Sequence, residues 1–278
     1  MQRVKFREIV FLNGEFLFKK AVRISAFDPG FLYGFGLFET MRSYNHRIVY
    51  LDAHLKRLKS SCSYIGLEMP YSLDRLKGII KQTVEINDLQ DAYVRLTLWK
   101  QDKGTGIAVI TKEFKPYPAS KYNKGFSAGI SRLRQSEDSP LTKIKSTSRL
   151  NYELSFKEAK DKGFDEAIIL NNRGNIAEAT RSNIFLVKNK EIFTPVLECG
   201  CLDGITRKVI FDLAKKHKIA LYQGNLTIQD LCSVNEAFLT NSLMGVMPLT
   251  SVEHKIIGKG KCANLTKFLI AKYNSLLK

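Results

Sequence analysis

The feature that most constrains the fold is a series of short apolar runs that end at turn-forming residues. Residues 10–18 place two such runs on either side of Asn13-Gly14, a dipeptide typical of tight β-hairpins. Residues 36–44 again alternate apolar and polar side chains before a further turn. The longest apolar runs are short, as at residues 167–170, whereas a membrane-spanning helix needs about 20 apolar residues. The chain therefore begins with β-structure, and no membrane span is predicted.

Helical spacing alternates with predicted strands along the whole chain. Leu55, Leu58 and Cys62 would share one face of a helix, which Asp52 would cap at its start. Further helices are predicted at residues 73–86, 151–162, 206–217 and 264–277. Further strands are predicted at residues 93–99, 107–111, 166–170, 184–187 and 191–193. This mixture predicts an α+β fold.

Length and one irregular stretch predict two domains. The 278 residues exceed the roughly 150 that one domain usually has. Residues 115–125 contain two prolines and no periodic pattern, which is typical of a connection between domains. We therefore expect an N-terminal α+β domain over residues 1–118, a connection over 119–125, and a β-rich C-terminal domain with flanking helices over 126–278.

The chain is strongly basic, with a formal net charge of +17. The excess is spread, since 19 basic and 12 acidic residues lie in the first 120 positions and 25 basic and 15 acidic residues follow. Nucleic-acid-binding proteins usually gather their basic residues on a tail, a stripe or a helix. We therefore expect a solvated basic surface that attracts anionic small molecules, with neither a nucleic acid nor a membrane as partner.

The cysteines argue against disulfides and against a metal site. Their number, five, is odd, and the one close pair, Cys199 and Cys201, is accompanied by only four histidines spread along the chain. The first eight residues carry charges, and no continuous apolar segment follows them, so no secretory signal is predicted. We expect a reducing, cytoplasmic compartment and no bound metal.

Common nucleotide and hydrolase motifs are missing, and chemistry-bearing residues are concentrated in a few segments. The sequence contains no G-x-G-x-x-G, P-loop, H-E-x-x-H, C-x-x-C or G-x-S-x-G pattern. Three segments stand out in the second half: residues 145–152 (KSTSRLNY), 175–185 (NIAEATRSNIF) and 202–207 (LDGITR). The first half adds residues 27–40 (FDPGFLYGFGLFET) and 54–58 (HLKRL).

Taken together and in their order along the chain, the five segments resemble those of the fold-type IV pyridoxal-phosphate enzymes. That family includes branched-chain aminotransferases, D-amino acid transaminases and 4-amino-4-deoxychorismate lyases, and the resemblance covers nearly the whole chain. It implies a two-domain fold of the D-amino acid transaminase-like type, with pyridoxal 5'-phosphate bound at the domain junction. It also implies a homodimer in which the N-terminal loop of one subunit closes the partner's site.

The resemblance assigns a lysine and an acid to this cofactor. Lys145 matches the family's lysine, whose amine forms a Schiff base with the cofactor and then moves protons. Lys143 is the competing candidate, but Lys145 is followed by a small polar residue and lies 33 positions before Glu178, close to the family's spacing. Glu178 matches the acid that faces the pyridine nitrogen and keeps it protonated.

The phosphate is expected at the start of the helix predicted from residue 206. Backbone N–H groups would converge there, and the helix dipole favours an anion. By resemblance, the phosphate contacts come from Ile205, Thr206, Asn241 and Arg57, and further cofactor contacts come from Ser182 and Asn183. Taken alone, Thr206 would be interpreted as a helix cap and Arg57 as half of a surface ion pair.

Within the family, several details resemble the lyases. Residues 240–249 are similar to a stretch typical of those enzymes. Thr40 stands where branched-chain aminotransferases have glycine and is expected to assist proton transfer. Phe31 stands where D-amino acid transaminases have a substrate-contacting tyrosine. Lys103 falls where the lyases have a substrate-binding arginine, and a lysine lacks the bidentate fork of that residue.

The sequence therefore predicts a 4-amino-4-deoxychorismate lyase that eliminates pyruvate and yields 4-aminobenzoate for folate synthesis. Lys145 and Thr40 are the expected catalytic residues, and Lys103 and Phe31 are the expected substrate contacts. The alternative is a transaminase of branched-chain or D-amino acids. A third hypothesis is an anion- or nucleic-acid-binding protein that has kept the fold without the cofactor.

Overall fold

The computed structural model describes residues 8–277. Their contacts divide the chain into two units: the first holds the residues up to Lys115 together with Ile144–Ser148, and the second holds Pro116–Lys143 and the residues from Arg149 onward. The chain thus leaves the first unit, returns for a short segment and leaves it again. None of the helices in residues 8–277 combines the length and the apolar character that a membrane span requires.

The first unit contains a six-stranded sheet. Its strands are β1 (Ile9–Leu12), β2 (Glu15–Phe18), β3 (Gly36–Tyr44), β4 (Arg47–Ile48), β5 (Ala92–Lys100) and β6 (Thr105–Glu113). They lie in the order β2-β1-β6-β5-β3-β4 and every neighbouring pair is antiparallel. Asn13 and Gly14 join the first two strands with φ of 49° and 109°. Because a two-residue hairpin turn of this kind needs positive φ at both positions, the Asn-Gly pair explains the hairpin.

Two helices cover one face of this sheet. After the one-turn helix α1 (Pro29–Leu32), these are α2 (Leu51–Ile65) and α3 (Leu73–Ile86). Side chains from both helices pack against alternate residues of β3 and β5 in one core cluster, which includes Leu37, Met41, Leu55, Leu58, Leu76, Ile80, Val94 and Leu96. Successive strand residues point to opposite faces, so the residues between these apolar positions lie on the face that the helices leave uncovered.

The segment Ile144–Ser148 extends the first sheet along β3. The Phe38 amide donates to the Lys145 carbonyl at 2.9 Å, and Leu37 pairs with Ser146 in an antiparallel bridge. This pairing places Lys145 beside Phe38, which lies 107 positions earlier in the sequence.

Gly36 permits this close pairing of the segment with β3. A Cβ atom at this position would lie 2.8 Å from the Leu98 carbonyl oxygen and 2.9 Å from the Thr147 hydroxyl oxygen. Only glycine leaves room for both neighbours, so the start of β3 is fixed by the absence of a side chain.

The second unit contains a nine-stranded mixed sheet. Its strands are β7 (Phe126–Ile130), β8 (Glu166–Leu170), β9 (Ile176–Ala179), β10 (Asn183–Lys188), β11 (Glu191–Pro195), β12 (Leu221–Gly224), β13 (Glu236–Asn241), β14 (Gly245–Val252) and β15 (Lys255–Ile256). They lie in the order β12-β11-β10-β13-β14-β7-β8-β9, and β15 pairs with β14. Three pairs are parallel, β11 with β12, β14 with β7, and β7 with β8.

Five helices flank this second sheet. They are α4 (Ala119–Lys124), α5 (Leu150–Asp161), α6 (Ile205–Lys216), α7 (Ile228–Ser233) and α8 (Asn264–Ser275). Short 3₁₀ helices occur at Lys19–Ala21, Pro140–Lys143 and Leu197–Cys199. The inner side of α6 buries Val209, Ile210 and Leu213, and this spacing fixes which side of the helix is turned toward the core.

The α+β class and most predicted elements are confirmed. The helix predicted at residues 73–86 coincides with α3, and the Ser72 hydroxyl caps it by accepting from the Arg75 amide. The predicted capping by Asp52 is wrong, because α2 begins at Leu51 after Tyr50, whose φ is 54° and whose side chain makes no cap. Asp52 instead pairs with Lys77 at 2.5 Å.

The expected irregular connection at residues 119–125 is largely the helix α4. The expected domains, residues 1–118 and 126–278, differ from the two units mainly at Ile144–Ser148, which belongs to the first unit. Local sequence patterns show where a strand forms but carry little information about a partner more than 100 residues away.

Candidate active site

Lys145 and Arg95 lie against the same buried aromatic ring in the first unit. The Lys145 Nζ atom is 4.7 Å from the centre of the Phe38 ring, and the Arg95 guanidinium carbon is 3.9 Å from it. The electron-rich face of an aromatic ring attracts cations, and Phe38 is 4% exposed, so this attraction acts away from bulk water. The ring therefore holds an amine and a guanidinium close to one apolar surface.

Thr40 belongs to the same face of the sheet. It follows Phe38 by two positions in β3 and is paired in register with Arg95 of β5. The competing lysine, Lys143, is exposed and ends a 3₁₀ helix of the second unit. The geometry therefore favours Lys145 over Lys143, and it brings both predicted catalytic residues onto one sheet face.

A buried cluster of charged residues lies on the helix-covered side of β3. The Glu39 carboxylate accepts from Arg57 Nε at 2.8 Å and from Arg57 Nη2 at 2.6 Å, which is a bidentate pair. His54 Nδ1 lies 2.6 Å from Glu39 Oε2 and donates to it, because an ionised carboxylate can only accept. Glu39 and His54 are each 1% exposed.

The pKa values in this cluster follow from burial and pairing. Burial alone would raise the pKa of Glu39, but the Arg57 charge and the hydrogen bonds from His54 and Arg57 lower it to about 2. Burial lowers the pKa of His54, and the hydrogen bond to Glu39 only partly opposes this. Glu39 is therefore ionised and His54 neutral near pH 7. The predicted phosphate contact of Arg57 stays a prediction, since its observed partner is Glu39.

In the second unit, Glu178 and Asn183 bind the two polar groups of one backbone residue. The Leu202 amide donates to Glu178 Oε2 at 3.1 Å, and Asn183 Nδ2 donates to the Leu202 carbonyl at 2.8 Å. Glu178 is 7% exposed. The loop before α6 is thus fixed to β9 and β10, and this brings Glu178 and Asn183 close to the start of α6.

The start of α6 has the properties of an anion site. Its N-cap is Gly204, which offers no side-chain cap to the first amides of the helix. A Cβ atom on Gly204 would collide with Asn183 Oδ1, so only glycine allows this close approach. Ile205 and Thr206, both predicted phosphate residues, are the first two residues of the helix.

Three buried hydroxyl groups of the second unit could donate hydrogen bonds to a ligand. Ser182 Oγ, Thr206 Oγ1 and Thr240 Oγ1 have no hydrogen-bond partner within residues 8–277, although the three residues are 6%, 2% and 1% exposed. An unpaired buried hydroxyl is costly, and an anionic phosphate would accept from it. The residues present therefore fit a phosphate-bearing cofactor whose ring nitrogen would face Glu178.

Asn241 has a clear structural role in the observed structure. Its Oδ1 accepts from the Leu243 and Met244 amides at 3.0 and 2.9 Å, and its Nδ2 donates to the Arg181 carbonyl at 3.1 Å. Asn241 therefore shapes the turn between β13 and β14, and its phosphate contact stays a prediction.

The two predicted substrate contacts both lie on exposed segments of the first unit. Lys103 is in the turn between β5 and β6, and Phe31 is in α1 with 69% of its surface exposed. Neither residue lies in a strand of the sheet face that carries Phe38. Both substrate roles therefore stay predictions.

Sequence reasoning missed four residues of these clusters. Arg95 was hidden within an ordinary alternating strand, and Glu39 was noted only as part of a motif. Thr240 precedes a residue that was singled out, and Tyr152, whose hydroxyl donates to Glu178 Oε1 at 2.9 Å, ends one of the quoted segments. A charged residue at an alternate strand position was the available signal for Arg95.

Comparison with known proteins shows the family of this chain. A family model, Amino-transferase class IV, matches residues 36–252. A putative branched-chain-amino-acid aminotransferase of Methanocaldococcus jannaschii is 30% identical over 277 residues, with 96% of each chain covered. The aminodeoxychorismate lyase of Bacillus subtilis is 30% identical over 280 residues, which cover 95% of this chain and 94% of that protein.

The fold agrees as well. The crystal structure of the T.th. branched-chain amino acid aminotransferase with pyridoxamine 5'-phosphate superposes with a TM-score of 0.92 at 25% identity, covering 98% of this chain and 94% of that one. The predicted fold-type IV architecture is thereby confirmed. With two thirds or more of its length matched by the family model and by each of these relatives, the chain belongs to the class IV aminotransferase family.

Proposed function

We propose that this protein is an aminotransferase that moves the amino group of an apolar amino acid, such as a branched-chain amino acid, to a keto acid. The observation that carries the proposal is the placement of Lys145 Nζ and the Arg95 guanidinium at one buried Phe38 ring. An amino acid brings a carboxylate and a side chain, which Arg95 and Phe38 would bind, and Lys145 would supply the amine that the reaction needs.

The cofactor is pyridoxal 5'-phosphate. When bound, it supplies the electron sink that lets an amino acid lose its α-proton. In the proposed site, Lys145 would hold the cofactor and carry protons, and Glu178 would face the ring nitrogen and favour its protonated form. The hydroxyls of Ser182 and Thr206 and the first amides of α6 bind the phosphate.

Arg95 is the proposed carboxylate-binding residue of the substrate site. A guanidinium presents two parallel N–H donors that suit a carboxylate, and the contact with Phe38 fixes its plane. Its Nε donates to Thr97 Oγ1 at 3.3 Å. This hydrogen bond fixes the direction in which the other N–H donors of the guanidinium point. Phe38 would then contact the apolar side chain of the substrate.

The lyase reaction is the second candidate, and Thr40 favours it. Its hydroxyl lies on the same sheet face as Phe38 and Lys145, where it could pass a proton to a leaving group. The Bacillus subtilis lyase is as similar in identity as the Methanocaldococcus jannaschii relative. Names of branched-chain aminotransferases predominate among the relatives, so the aminotransferase is the better supported proposal.

A paired assay separates the two reactions. The purified holoenzyme would be offered branched-chain amino acids with 2-oxoglutarate, and separately aminodeoxychorismate with detection of pyruvate and 4-aminobenzoate. We expect amino transfer in the first assay. Equimolar pyruvate and 4-aminobenzoate, without amino transfer, would instead establish the lyase.

Arg95→Met tests the carboxylate-binding role. This substitution keeps an apolar chain against Phe38 and removes the charge, so kcat/KM for amino acids should fall by about 10- to 100-fold. The control is Arg132→Met, which removes an exposed arginine that pairs with Glu158 at 3.0 Å. Equal kcat/KM in both variants would contradict the assignment.

A homodimer is part of the proposal. Phe27, Phe31 and Tyr33 are 82%, 69% and 75% exposed, which is unusual for neighbouring aromatic side chains and suits burial against a second copy of the chain. Sedimentation equilibrium should give twice the monomer mass, and Phe27→Ser with Tyr33→Ser should shift the protein toward the monomer. A monomeric wild type would contradict this part.

A further inference from the structure

Tyr152 makes a direct contact with the acid assigned to the cofactor ring. It is the third residue of α5, and its hydroxyl donates to Glu178 Oε1 at 2.9 Å. The other carboxylate oxygen, Oε2, accepts from the Leu202 amide at 3.1 Å. We propose that Tyr152 is a positioning residue, which holds the Glu178 carboxylate ionised and correctly oriented and thereby sets the protonation of the cofactor's ring nitrogen. This inference rests on the proposed role of Glu178.

The Tyr152 hydroxyl is a fixed donor. Burial, then the charge of Glu178 and the hydrogen bond to it, raise the pKa of Tyr152 well above its usual value. The phenol therefore stays protonated near neutral pH. Since a carboxylate only accepts, the direction of this hydrogen bond does not reverse.

Arg149 strengthens this donor and holds it in place. Its guanidinium carbon lies 4.4 Å from the centre of the Tyr152 ring, and its Nη2 donates to the Thr180 carbonyl at 2.6 Å. Thr180 follows Glu178 by two positions. The arginine thus connects the tyrosine ring to the same segment that carries the acid, and its positive charge makes the phenol a better donor.

The consequence for Glu178 follows from which protonation state the donors stabilise. Two hydrogen bonds to a carboxylate favour its ionised form, and an ionised carboxylate facing a pyridine nitrogen favours the protonated ring. Without the Tyr152 hydroxyl, the proton shared by the acid and the ring nitrogen would move toward the acid. The ring would then be a weaker electron sink, although the cofactor would still be bound.

The test uses the holoenzyme reconstituted with pyridoxal phosphate that carries ¹⁵N in the ring. The nitrogen resonance reports protonation directly, without substrate and without turnover. We expect a protonated nitrogen in the wild type and a clear shift toward the unprotonated position in Tyr152→Phe, which keeps the ring, its packing and its contact with Arg149. In turnover, kcat should fall about tenfold while KM for the amino acid changes less than about twofold.

Tyr122→Phe is the matched control. It makes the same chemical change in the same unit, where the Tyr122 hydroxyl donates to the Met244 carbonyl at 2.8 Å. We expect a loss of folding stability like that of Tyr152→Phe, with the wild-type nitrogen resonance and the wild-type kcat. A purely structural role of Tyr152 would make the two variants behave alike, and that result would overturn the proposal.

Glu178→Gln separates the two assignments. If this variant loses the protonated nitrogen and Tyr152→Phe keeps it, the role of Tyr152 is overturned and the role of Glu178 stands. If Glu178→Gln keeps the protonated nitrogen, both roles are overturned. Neither outcome depends on whether the enzyme is an aminotransferase or a lyase, because the resonance is measured before any substrate is added.

Discussion

Glu39 in the first unit and Thr206 in the second are both buried polar residues of the candidate site, but they differ in their partners. Glu39 binds Arg57 and His54 within its own unit. The Thr206 hydroxyl, like those of Ser182 and Thr240, lacks a hydrogen-bond partner within residues 8–277. The first unit therefore completes its charged cluster by folding, whereas the second unit retains hydroxyl donors that a bound phosphate would satisfy.

This difference has an energetic meaning. A buried hydroxyl without a partner costs about 1–3 kcal/mol, so a group of three lowers the stability of the unliganded protein. Such a cost would be recovered if a phosphate accepted from these hydroxyls, and cofactor binding would then stabilise the fold. Residues that bind the cofactor should therefore affect the holoenzyme, and residues of the Glu39 cluster should affect folding with or without cofactor.

The largest expected effect is on turnover and follows from replacing Lys145. This residue lies in the first unit but is proposed to bind the cofactor. Lys145→Ala should lower turnover by about 10⁴-fold or more, since it removes both the covalent link and the proton carrier. Stability of the cofactor-free protein should change little. Turnover, the absorbance of bound cofactor and urea unfolding measure these effects.

Lys143→Ala is the control for that prediction. Lys143 is exposed, so the variant should retain turnover and absorbance. A Lys145→Ala protein that still bound the cofactor covalently would contradict the assignment.

The next effect tests the first unit. Glu39→Gln leaves the Arg57 guanidinium without its anion and should lower the free energy of unfolding by about 3–5 kcal/mol, with or without cofactor. Urea unfolding checks this. Asp74→Asn, which removes an exposed partner of Lys77, should cost about 0.5 kcal/mol or less. An equal loss of unfolding free energy in the two variants would show that the buried Glu39 cluster stabilises the fold no more than an exposed ion pair does.

The same cluster predicts a pH dependence. The pKa of Glu39 is lowered from 4.5 to about 2, so its contribution to stability is fully present above pH 4.5 and is lost as the pH falls toward 2. Acid unfolding of the wild type should show this loss, and the loss should be absent in Glu39→Gln. A Glu39→Gln protein with the wild-type acid profile would contradict the pKa assignment.

A smaller effect tests the second unit. Thr206→Val keeps the shape of the side chain and removes the unpaired hydroxyl, so the cofactor-free protein should be as stable as the wild type or slightly more stable. Affinity for the cofactor should fall by about tenfold, because one hydrogen bond to the phosphate is lost. Titration with cofactor and urea unfolding of the cofactor-free protein measure the two quantities. A marked loss of stability in cofactor-free Thr206→Val would show that the Thr206 hydroxyl stabilises the unliganded fold, which would contradict the contrast drawn with Glu39.

The smallest expected effect concerns Glu166, a buried acid of the second unit. Its carboxyl group accepts from the Thr180 hydroxyl, and burial raises its pKa while that hydrogen bond partly opposes the shift. Its contribution to stability is therefore fully present below its ordinary pKa of 4.5 and is lost as the pH rises through its folded value. Glu166→Gln should flatten this part of the profile, measured by unfolding as the pH is raised from 4.5. If the unfolding free energy of Glu166→Gln depended on pH as it does in the wild type, the raised pKa of Glu166 would be contradicted.

Elements with strong local signals were predictable from the sequence. Asn13-Gly14 predicts its hairpin, and the periodic spacing predicts α3 to the residue. The start of α2 was not predictable in the same way. Tyr50 takes a left-handed conformation there, and a tyrosine does so only where the packed structure imposes it.

The candidate site was predictable where a motif carried it and not where strand pairing created it. Lys145, Glu178 and Thr206 were identified through their motifs. Arg95 could not be linked to Lys145, because the link is the Phe38 ring and depends on which strands pair. Tyr152 was also hidden, since its distance to Glu178 depends on how α5 packs on its sheet.

The order of synthesis gives the pairing of Ile144–Ser148 with β3 a further consequence. When the ribosome has released the strands β1 to β6, the edge of β3 that accepts this segment is still open, and its partner emerges only after part of the other unit has been made. A fragment that ends at Lys115 would therefore lack Lys145 altogether, and one that starts at Pro116 would carry Lys145 on an unpaired strand. If Lys145 has its proposed catalytic role, the two units are inseparable as genetic modules, although each has its own sheet.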